Sequence, residues 1–206
     1  MLAQGWITHS QLQHALNKQK AEGGRIGDWL IAECGVQPQQ VTRGLSMQWS
    51  CPVLMSRGFI PEAMAMLVPK IFVEDFNLLP LRLVSGKLLY LGFEDRLDAS
   101  VSLAMEQMFG VRVESGLVPT EEYAAARDLL LAAETFTVSR ESNRTADGLA
   151  ARITAILEQK QPVASKLVRV HNYLWLRLWL EGAKASPSLQ PRDREDILDY
   201  VFTVDK

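Results

Sequence analysis

Acidic pairs are the residues of this sequence that come nearest to a catalytic arrangement. Glu74-Asp75 and Glu94-Asp95 lie near the ends of predicted β-strands, where paired carboxylates can exchange a proton with a substrate. Neither pair has a general-acid partner, so we interpret both as solvated surface charge. The sequence contains no G-x-x-x-x-G-K-[ST] loop, no G-x-S-x-G nucleophile and no H-E-x-x-H motif. We therefore expect a chain without catalytic activity of its own.

Metal-ligating residue types are also scarce. The chain has three histidines and two cysteines in 206 residues. His9 and His14 are five residues apart on a predicted helix, which places them on different faces, and Cys34, Cys51 and His171 have no partner at a ligand spacing. We expect no metal and no cofactor. So few cysteines are typical of a reducing, cytoplasmic setting.

An internal repeat is the most informative feature of the sequence. When the chain is offset by 29 residues, apolar residues fall on apolar residues and a glutamine falls on a glutamine. The matched pairs are Leu2 with Ile31, Ile7 with Val36, Leu12 with Val41, Leu16 with Leu45, and Gln19 with Gln48. The second copy opens with Arg25-Ile26-Gly27, whereas the first copy would need those residues before Met1. We therefore expect that the chain begins inside a repeat and is a fragment of a longer polypeptide.

This repeat resembles the motif of MshEN-type domains, which are related to the N-terminal domains of type II secretion and type IV pilus assembly ATPases. The resemblance rests on Arg25-Ile26-Gly27, followed by apolar residues and a closing glutamine at the spacing of that motif. It covers residues 1–134 and includes Leu79-Pro80-Leu81 and the run Phe93-Glu94-Asp95-Arg96-Leu97-Asp98. The resemblance implies that the two copies together clamp cyclic di-GMP.

The resemblance also implies a set of ligand-binding residues from both copies. They are Leu2, Gly5, Trp6, Ile7, Leu12, Leu16 and Gln19 in the first copy, and Arg25, Ile26, Gly27, Leu30, Ile31, Val41, Leu45 and Gln48 in the second. The second copy departs from the motif at three positions, because Cys34 stands where the motif has its glycine, Gly35 where it has an apolar residue, and Val41 where it has a leucine. No DNA or RNA partner is implied, and a formal charge of −2 is not that of a basic nucleic-acid-binding domain.

The residue types in this set suit a ligand with two anionic phosphates and two flat guanines. Arg25 can stack on a guanine, or donate two hydrogen bonds to its O6 and N7 atoms or to a phosphate. Gly27 permits a close approach of the backbone, and helix N-termini offer free N–H groups to an anion. The apolar residues can form a floor under the bases, and the two glutamines can bond the polar edge of the ligand. Residues 1–60 carry five basic and three acidic side chains, which is the sign of charge that phosphates need.

Three functions remain open. The first is a regulatory cyclic di-GMP-binding module, part of a secretion or pilus-assembly ATPase or of a membrane glycosyltransferase similar to phage-adsorption protein B. The second is an adaptor of a type II secretion-like machine that docks on a membrane-associated partner without nucleotide, in the cytoplasm at the inner face of the inner membrane. The third is a homo-oligomer built on a helix that carries Trp175 and Trp179, which lie four residues apart and share a face.

Hydrophobic periodicity predicts an α+β protein. We expect residues 1–60 to form a helical repeat subdomain and residues 61–138 to form a small ββαβα subdomain. The polar residues 139–148 are predicted to be a linker, and residues 149–206 a helical tail with a hinge near Pro162.

Within the second subdomain we expect a β-hairpin over 79–93, a helix over 99–109, a strand over 111–115 and a helix over 120–134. In the tail, the apolar segment 163–180 contains too many charged residues to span a membrane, which takes about 20 apolar residues. We interpret that segment as an amphipathic helix that packs on a core or a partner.

Overall fold

The computed structural model of the protein describes residues 1–143, 145–180 and 194–204. This part of the chain has an α+β architecture, as the sequence predicts, with a helical repeat followed by two mixed β-sheets and their helices. Across the described ranges, every helix is too short or too polar to cross a membrane.

The N-terminal repeat consists of three helices. Helix α1 spans His9–Glu22, α2 spans Ile26–Cys34 and α3 spans Pro38–Trp49. Helices α1 and α3 begin in the same way, because a glutamine in the first turn accepts a hydrogen bond from the N–H of the N-cap residue. The N–H of Thr8 donates to Gln11 Oε1 at 2.9 Å, and the N–H of Gln37 donates to Gln40 Oε1 at 3.0 Å. Both pairs are separated by the 29 residues of the sequence repeat, so the predicted repeat is a structural one.

The repeat has its own small hydrophobic core. Ile7 and Val36, which match at the 29-residue offset, are both buried in it. The structure also explains the departure at Cys34, which is the last residue of α2 and has no need of a positive φ. The left-handed conformation falls on the next residue, Gly35, with a φ of 67°, the same value as at Gly5 in the first copy. The glycine is therefore displaced by one position, and the turn is retained.

The central unit has the predicted ββαβα order. It begins with two short helices, α4 (Pro61–Ala65) and α5 (Lys70–Phe76). These are followed by β1 (Leu78–Val84), β2 (Leu88–Phe93), α6 (Ala99–Phe109), β3 (Arg112–Leu117) and α7 (Thr120–Ala132). Strand β2 lies between β1, which is antiparallel to it, and β3, which is parallel. Ser85 and Gly86 both have positive φ, as the tight turn of a β-hairpin requires.

The helical tail predicted for residues 149–206 is wrong beyond Lys160. Strand β4 (Thr137–Asn143) and helix α8 (Ala146–Lys160) are followed by β5 (Ala164–Val170), β6 (Tyr173–Trp179) and β7 (Ile197–Val204). The strand order is β4-β7-β6-β5, with β4 parallel to β7 and the other pairs antiparallel. The predicted linker therefore contributes an edge strand and the start of α8. Residue 144 of the linker and residues 181–193 and 205–206 of the tail lie outside the described residues.

The error has a physical cause in β6. One face of this strand packs Leu176 and Leu178 against α8, and the other buries Trp175 and Trp179 in the central core. A strand that is buried on both faces has an almost continuous apolar sequence, so it lacks the alternation that distinguishes a strand from a helix. Two tryptophans four residues apart lie on the same face of an α-helix and also on the same face of a β-strand. Because both are buried within the chain, an oligomer interface on a helix that carries them is also wrong.

The charge within this apolar run is neutralised internally. Arg177 donates from Nε and Nη2 to the two carboxylate oxygens of Asp199, both at 2.8 Å, and both side chains are buried. The Arg177 guanidinium also lies 4.6 Å from the centre of the Phe136 ring. Burial raises the pKa of Asp199 and the guanidinium of Arg177 opposes that rise. The pair joins β6 to β7, so the sheet carries a charged side chain without exposing it.

Candidate ligand-binding site

A cavity of about 810 Å³ lies between the helical repeat and the loop that joins β2 to α6. Its volume falls within the range of pockets that bind small organic ligands. The cavity brings together eleven of the fifteen residues predicted to bind a ligand. They are Leu2, Ile7, Leu12, Gln19, Arg25, Ile26, Gly27, Leu30, Val41, Leu45 and Gln48. Both copies of the repeat therefore contribute to one site.

The other four predicted residues do not line the cavity. Gly5 and Trp6 lie in the turn that precedes α1, and Leu16 is exposed on α1. Ile31 follows Leu30 on α2, and consecutive helical positions point about 100° apart, so the two side chains face in different directions. The structure thus separates neighbouring positions that the resemblance grouped together.

Close packing of α2 on α3 forms part of the apolar floor. A Cβ atom added to Gly27 would lie 2.7 Å from Cγ1 of Val41, which is closer than such carbon atoms approach. The sequence led us to expect that Gly27 lets the backbone approach a ligand. In the structure this glycine lets α2 approach α3, and both Gly27 and Val41 line the cavity.

Arg25 is the centre of the polar wall. Its Nε lies 3.0 Å from Asp28 Oδ2, and one terminal nitrogen lies 2.9 Å from Glu94 Oε2 and 3.6 Å from Asp95 Oδ2. Partial burial lowers the pKa of Arg25, but the hydrogen bonds to Asp28 and Glu94 raise it by more. The side chain remains 43% exposed, so a ligand can reach the guanidinium. Arg25 thus connects the repeat to the β2–α6 loop.

The two glutamines of the repeat have different surroundings. Gln19 Nε2 donates to the carbonyl oxygen of Gly24 at 2.9 Å and thereby holds the turn between α1 and α2. Gln48 is exposed at the cavity, and no hydrogen bond of its side chain is found among the described residues. The amide of Gln48 is therefore the one of the two that is available to a ligand.

Sequence reasoning missed Arg96 as a site residue. Arg96 lines the cavity, is exposed, and has no ion pair or hydrogen bond to its guanidinium in the described part of the chain. The signal was present, because Arg96 belongs to the run Phe93–Asp98 that carries the family resemblance. The resemblance implies no ligand-binding residue in that run, so its one cation is outside the implied ligand set.

The interpretation of Glu94-Asp95 as solvated charge is also wrong, since both carboxylates face Arg25 in the cavity wall. Sequence alone could not show this pairing, because it joins residues about 70 positions apart through tertiary contacts. With Asp28, the wall has three carboxylates and two guanidinium groups. Such a set suits a ligand that presents both anionic groups and N–H donors. No group of histidine, cysteine, aspartate or glutamate residues in the described ranges is arranged to hold a metal ion.

Comparison with known proteins returned solved structures only, since neither a protein-family profile nor a curated protein sequence matches the chain. The chain is similar to a structure of MshE with cdg (cyclic di-GMP), with 25% identity, a TM-score of 0.49, and coverage of 62% of this chain and 92% of that one. Two structures of the N-terminal domain of XpsE also match. The first has 16% identity and a TM-score of 0.44, and the match covers 62% of this chain and 88% of that one. The second has 15% identity and a TM-score of 0.34, and the match covers 65% of this chain and 90% of that one.

Proposed function

We propose that this chain is a regulatory module of the MshEN type that binds cyclic di-GMP in the cavity between its helical repeat and the β2–α6 loop. One observation carries the proposal. Both copies of the repeat line a single cavity, including the matched pairs Leu12 with Val41 and Gln19 with Gln48, and its polar wall carries guanidinium and carboxylate groups together. In this proposal the chain has no catalytic step, and its output is a change of conformation passed to an attached or neighbouring machine.

The guanidinium and carboxylate groups of the wall match the hydrogen-bond acceptors and donors of the ligand. Phosphates and the O6/N7 edge of guanine accept hydrogen bonds, which Arg25 and Arg96 can donate. The Watson–Crick edge of guanine presents N–H donors, which the carboxylates of Asp28, Glu94 and Asp95 can accept. A ligand with phosphates alone would meet more negative than positive side chains, so the wall favours a guanine nucleotide over a simple anion.

The contact between Arg25 and Glu94 supplies a route from binding to output. In the free chain this ion pair joins the repeat to the β2–α6 loop. A phosphate or guanine that takes up the Arg25 guanidinium competes with Glu94, so binding changes how the repeat is held against the loop. A ligand shifts a conformational equilibrium by its differential affinity for the two states. The exchange of partners at Arg25 is the source of that difference here.

Isothermal titration calorimetry with cyclic di-GMP tests the proposal. We expect heat of binding with the wild-type chain and a loss of at least about tenfold in affinity for Arg25→Ala, since a charge-assisted hydrogen bond contributes about 1.5–3 kcal/mol. Arg112→Ala is the matched control, because Arg112 is an exposed arginine at the start of β3 that does not line the cavity. Absence of heat at about 100 μM ligand, equivalent to a binding free energy of about −5.5 kcal/mol, contradicts the proposal.

The carboxylates around Arg25 favour a second candidate function. They satisfy this arginine without any ligand, so Arg25 needs no nucleotide to join the repeat to the β2–α6 loop. A chain of this kind can serve as an adaptor that docks on membrane-associated secretion machinery whether or not nucleotide is present. Capture of the same machinery protein from membranes, with equal yield in the presence and absence of cyclic di-GMP, distinguishes the adaptor from the regulatory module.

A further inference from the structure

We propose that Trp49 is the stacking platform for one guanine of the ligand, an inference that rests on the proposed function and adds a residue outside the implied ligand set. Trp49 lines the cavity at the end of α3 and is 42% exposed. All five tryptophans of the chain lie in the described ranges, and among them only Trp49 is exposed. An indole ring left open to solvent beside a cavity has an apolar face available to a flat ligand.

Three of the other four tryptophans have packing or hydrogen-bond partners that Trp49 lacks, and the fourth, Trp6, is half-buried in the turn before α1 and does not line the cavity. Trp175 and Trp179 are buried in the central core, and Trp29 packs on the repeat core while its indole N–H donates to the carbonyl oxygen of Gly23 at 2.8 Å. Trp49 belongs to no hydrophobic cluster and stacks on no other aromatic ring in the described part of the chain. Packing of the protein therefore gives no reason for an exposed tryptophan at this position.

The backbone that carries Trp49 is held in place. The next residue, Ser50, adopts the left-handed conformation with a φ of 49°, and its N–H donates to the carbonyl oxygen of Ser46. The Ser46 hydroxyl in turn donates to the carbonyl oxygen of the buried residue Cys51 at 2.6 Å. The last turn of α3 is thus tied to the start of the central unit. A platform fixed in this way loses little conformational freedom when a base stacks on it.

The surroundings of Trp49 indicate a nucleobase as its partner. The cavity combines the indole with guanidinium and carboxylate groups and with the free amide of Gln48, the preceding residue. An aromatic side chain can stack on the π-face of a base, while the polar groups form hydrogen bonds with the edges of the base. Stacking on an aromatic side chain is worth about 1–3 kcal/mol per base by alanine substitution, which corresponds to about 5-fold to 150-fold in affinity.

Two substitutions separate stacking from simple apolar contact. In calorimetric titration of the full chain with cyclic di-GMP, we expect Trp49→Leu to weaken binding by about tenfold and Trp49→Phe to bind within a few-fold of wild type. Leu103→Ala is the control, because Leu103 is an exposed apolar residue of α6 that does not line the cavity. Tryptophan fluorescence provides a second readout, since a guanine stacked on an indole quenches it. The quench that accompanies binding should be present in wild type and absent in Trp49→Phe.

The outcomes distinguish this inference from the proposed function. Binding by wild type with unchanged affinity in Trp49→Leu overturns the stacking role and leaves the cyclic di-GMP function standing. Equal quenching in wild type and Trp49→Phe overturns it as well. Absence of binding by the wild-type chain overturns both.

Discussion

The contact between α2 and α3 at Gly27 gives the sharpest test of how the sequence shapes the cavity. Alanine at this position places a Cβ atom 2.7 Å from Cγ1 of Val41. Val41 cannot readily turn away, because a valine in a helix has one strongly preferred χ1 rotamer. The clash must therefore be relieved by a shift of α2 away from α3.

Opposing effects decide the size of the change. Gly27 lies within α2, where glycine costs about 1 kcal/mol relative to alanine, so an uncrowded Gly27→Ala substitution would stabilise the chain. Overpacking of a well-packed contact costs about 1–3 kcal/mol. We expect the steric cost to exceed the helix-propensity gain, for a net loss of about 0–2 kcal/mol in the free energy of unfolding.

A double-mutant cycle isolates the steric contribution. Val41→Ala removes the atom that the new Cβ meets, so Gly27→Ala should be stabilising in the Val41→Ala background. We expect a favourable coupling energy of about 0.5–3 kcal/mol between the two positions, measured by urea unfolding of the four proteins. We also expect the Gly27→Ala single variant to bind cyclic di-GMP with lower affinity, since the shift of α2 changes the cavity. Additive changes in unfolding free energy, or a stabilising Gly27→Ala single variant, would refute the role of this glycine in spacing the helices.

Three further predictions follow from charged groups. In calorimetric titrations, Arg96→Gln should weaken cyclic di-GMP binding by about tenfold and reduce the dependence of that binding on salt concentration, since a charge-assisted hydrogen bond contributes about 1.5–3 kcal/mol. The control variant Arg112→Gln should change neither the affinity nor its salt dependence. Arg177→Met should lower the free energy of unfolding by about 3–5 kcal/mol, because it leaves Asp199 buried without its partner, and Arg177→Met combined with Asp199→Leu should recover much of that loss in urea unfolding. Although partial burial opposes it, the N–H groups at the start of α6 and a neighbouring histidine hold the pKa of Asp98 below its ordinary value. Its stabilising contribution should thus be fully present above about pH 4 and be lost as the pH falls through the folded-state pKa, so Asp98→Asn should reduce the pH dependence of unfolding in that acidic range.

The sequence predicted the helical repeat because its signals are local. A capping residue such as Thr8, and a turn glycine such as Gly35, act within a few residues of their own position. The repeat then duplicates these signals at a fixed offset, which also allowed the resemblance to be found. The ββαβα order was predictable for the same reason, since its hairpin turns sharply through Ser85 and Gly86, which both have positive φ.

Tertiary contacts determine what the sequence did not predict. Strand β6 is apolar on both faces because a helix covers one face and the central core the other, and its Arg177 finds its carboxylate on β7, 22 residues later. In the cavity, Glu94 and Asp95 meet Arg25 only when the β2–α6 loop lies against α2. A local pattern cannot distinguish such paired charges from solvated ones.

The most direct test of the central claim is a map of ligand-induced changes in backbone amide NMR shifts, measured on the full chain during titration with cyclic di-GMP. The account predicts that the largest shifts fall on residues of the cavity from both sides, at Arg25, Gly27 and Gln48 in the repeat and at Asp95 and Arg96 in the β2–α6 loop. Shifts confined to the sheet of β4–β7, or no shifts at saturating ligand, would contradict it.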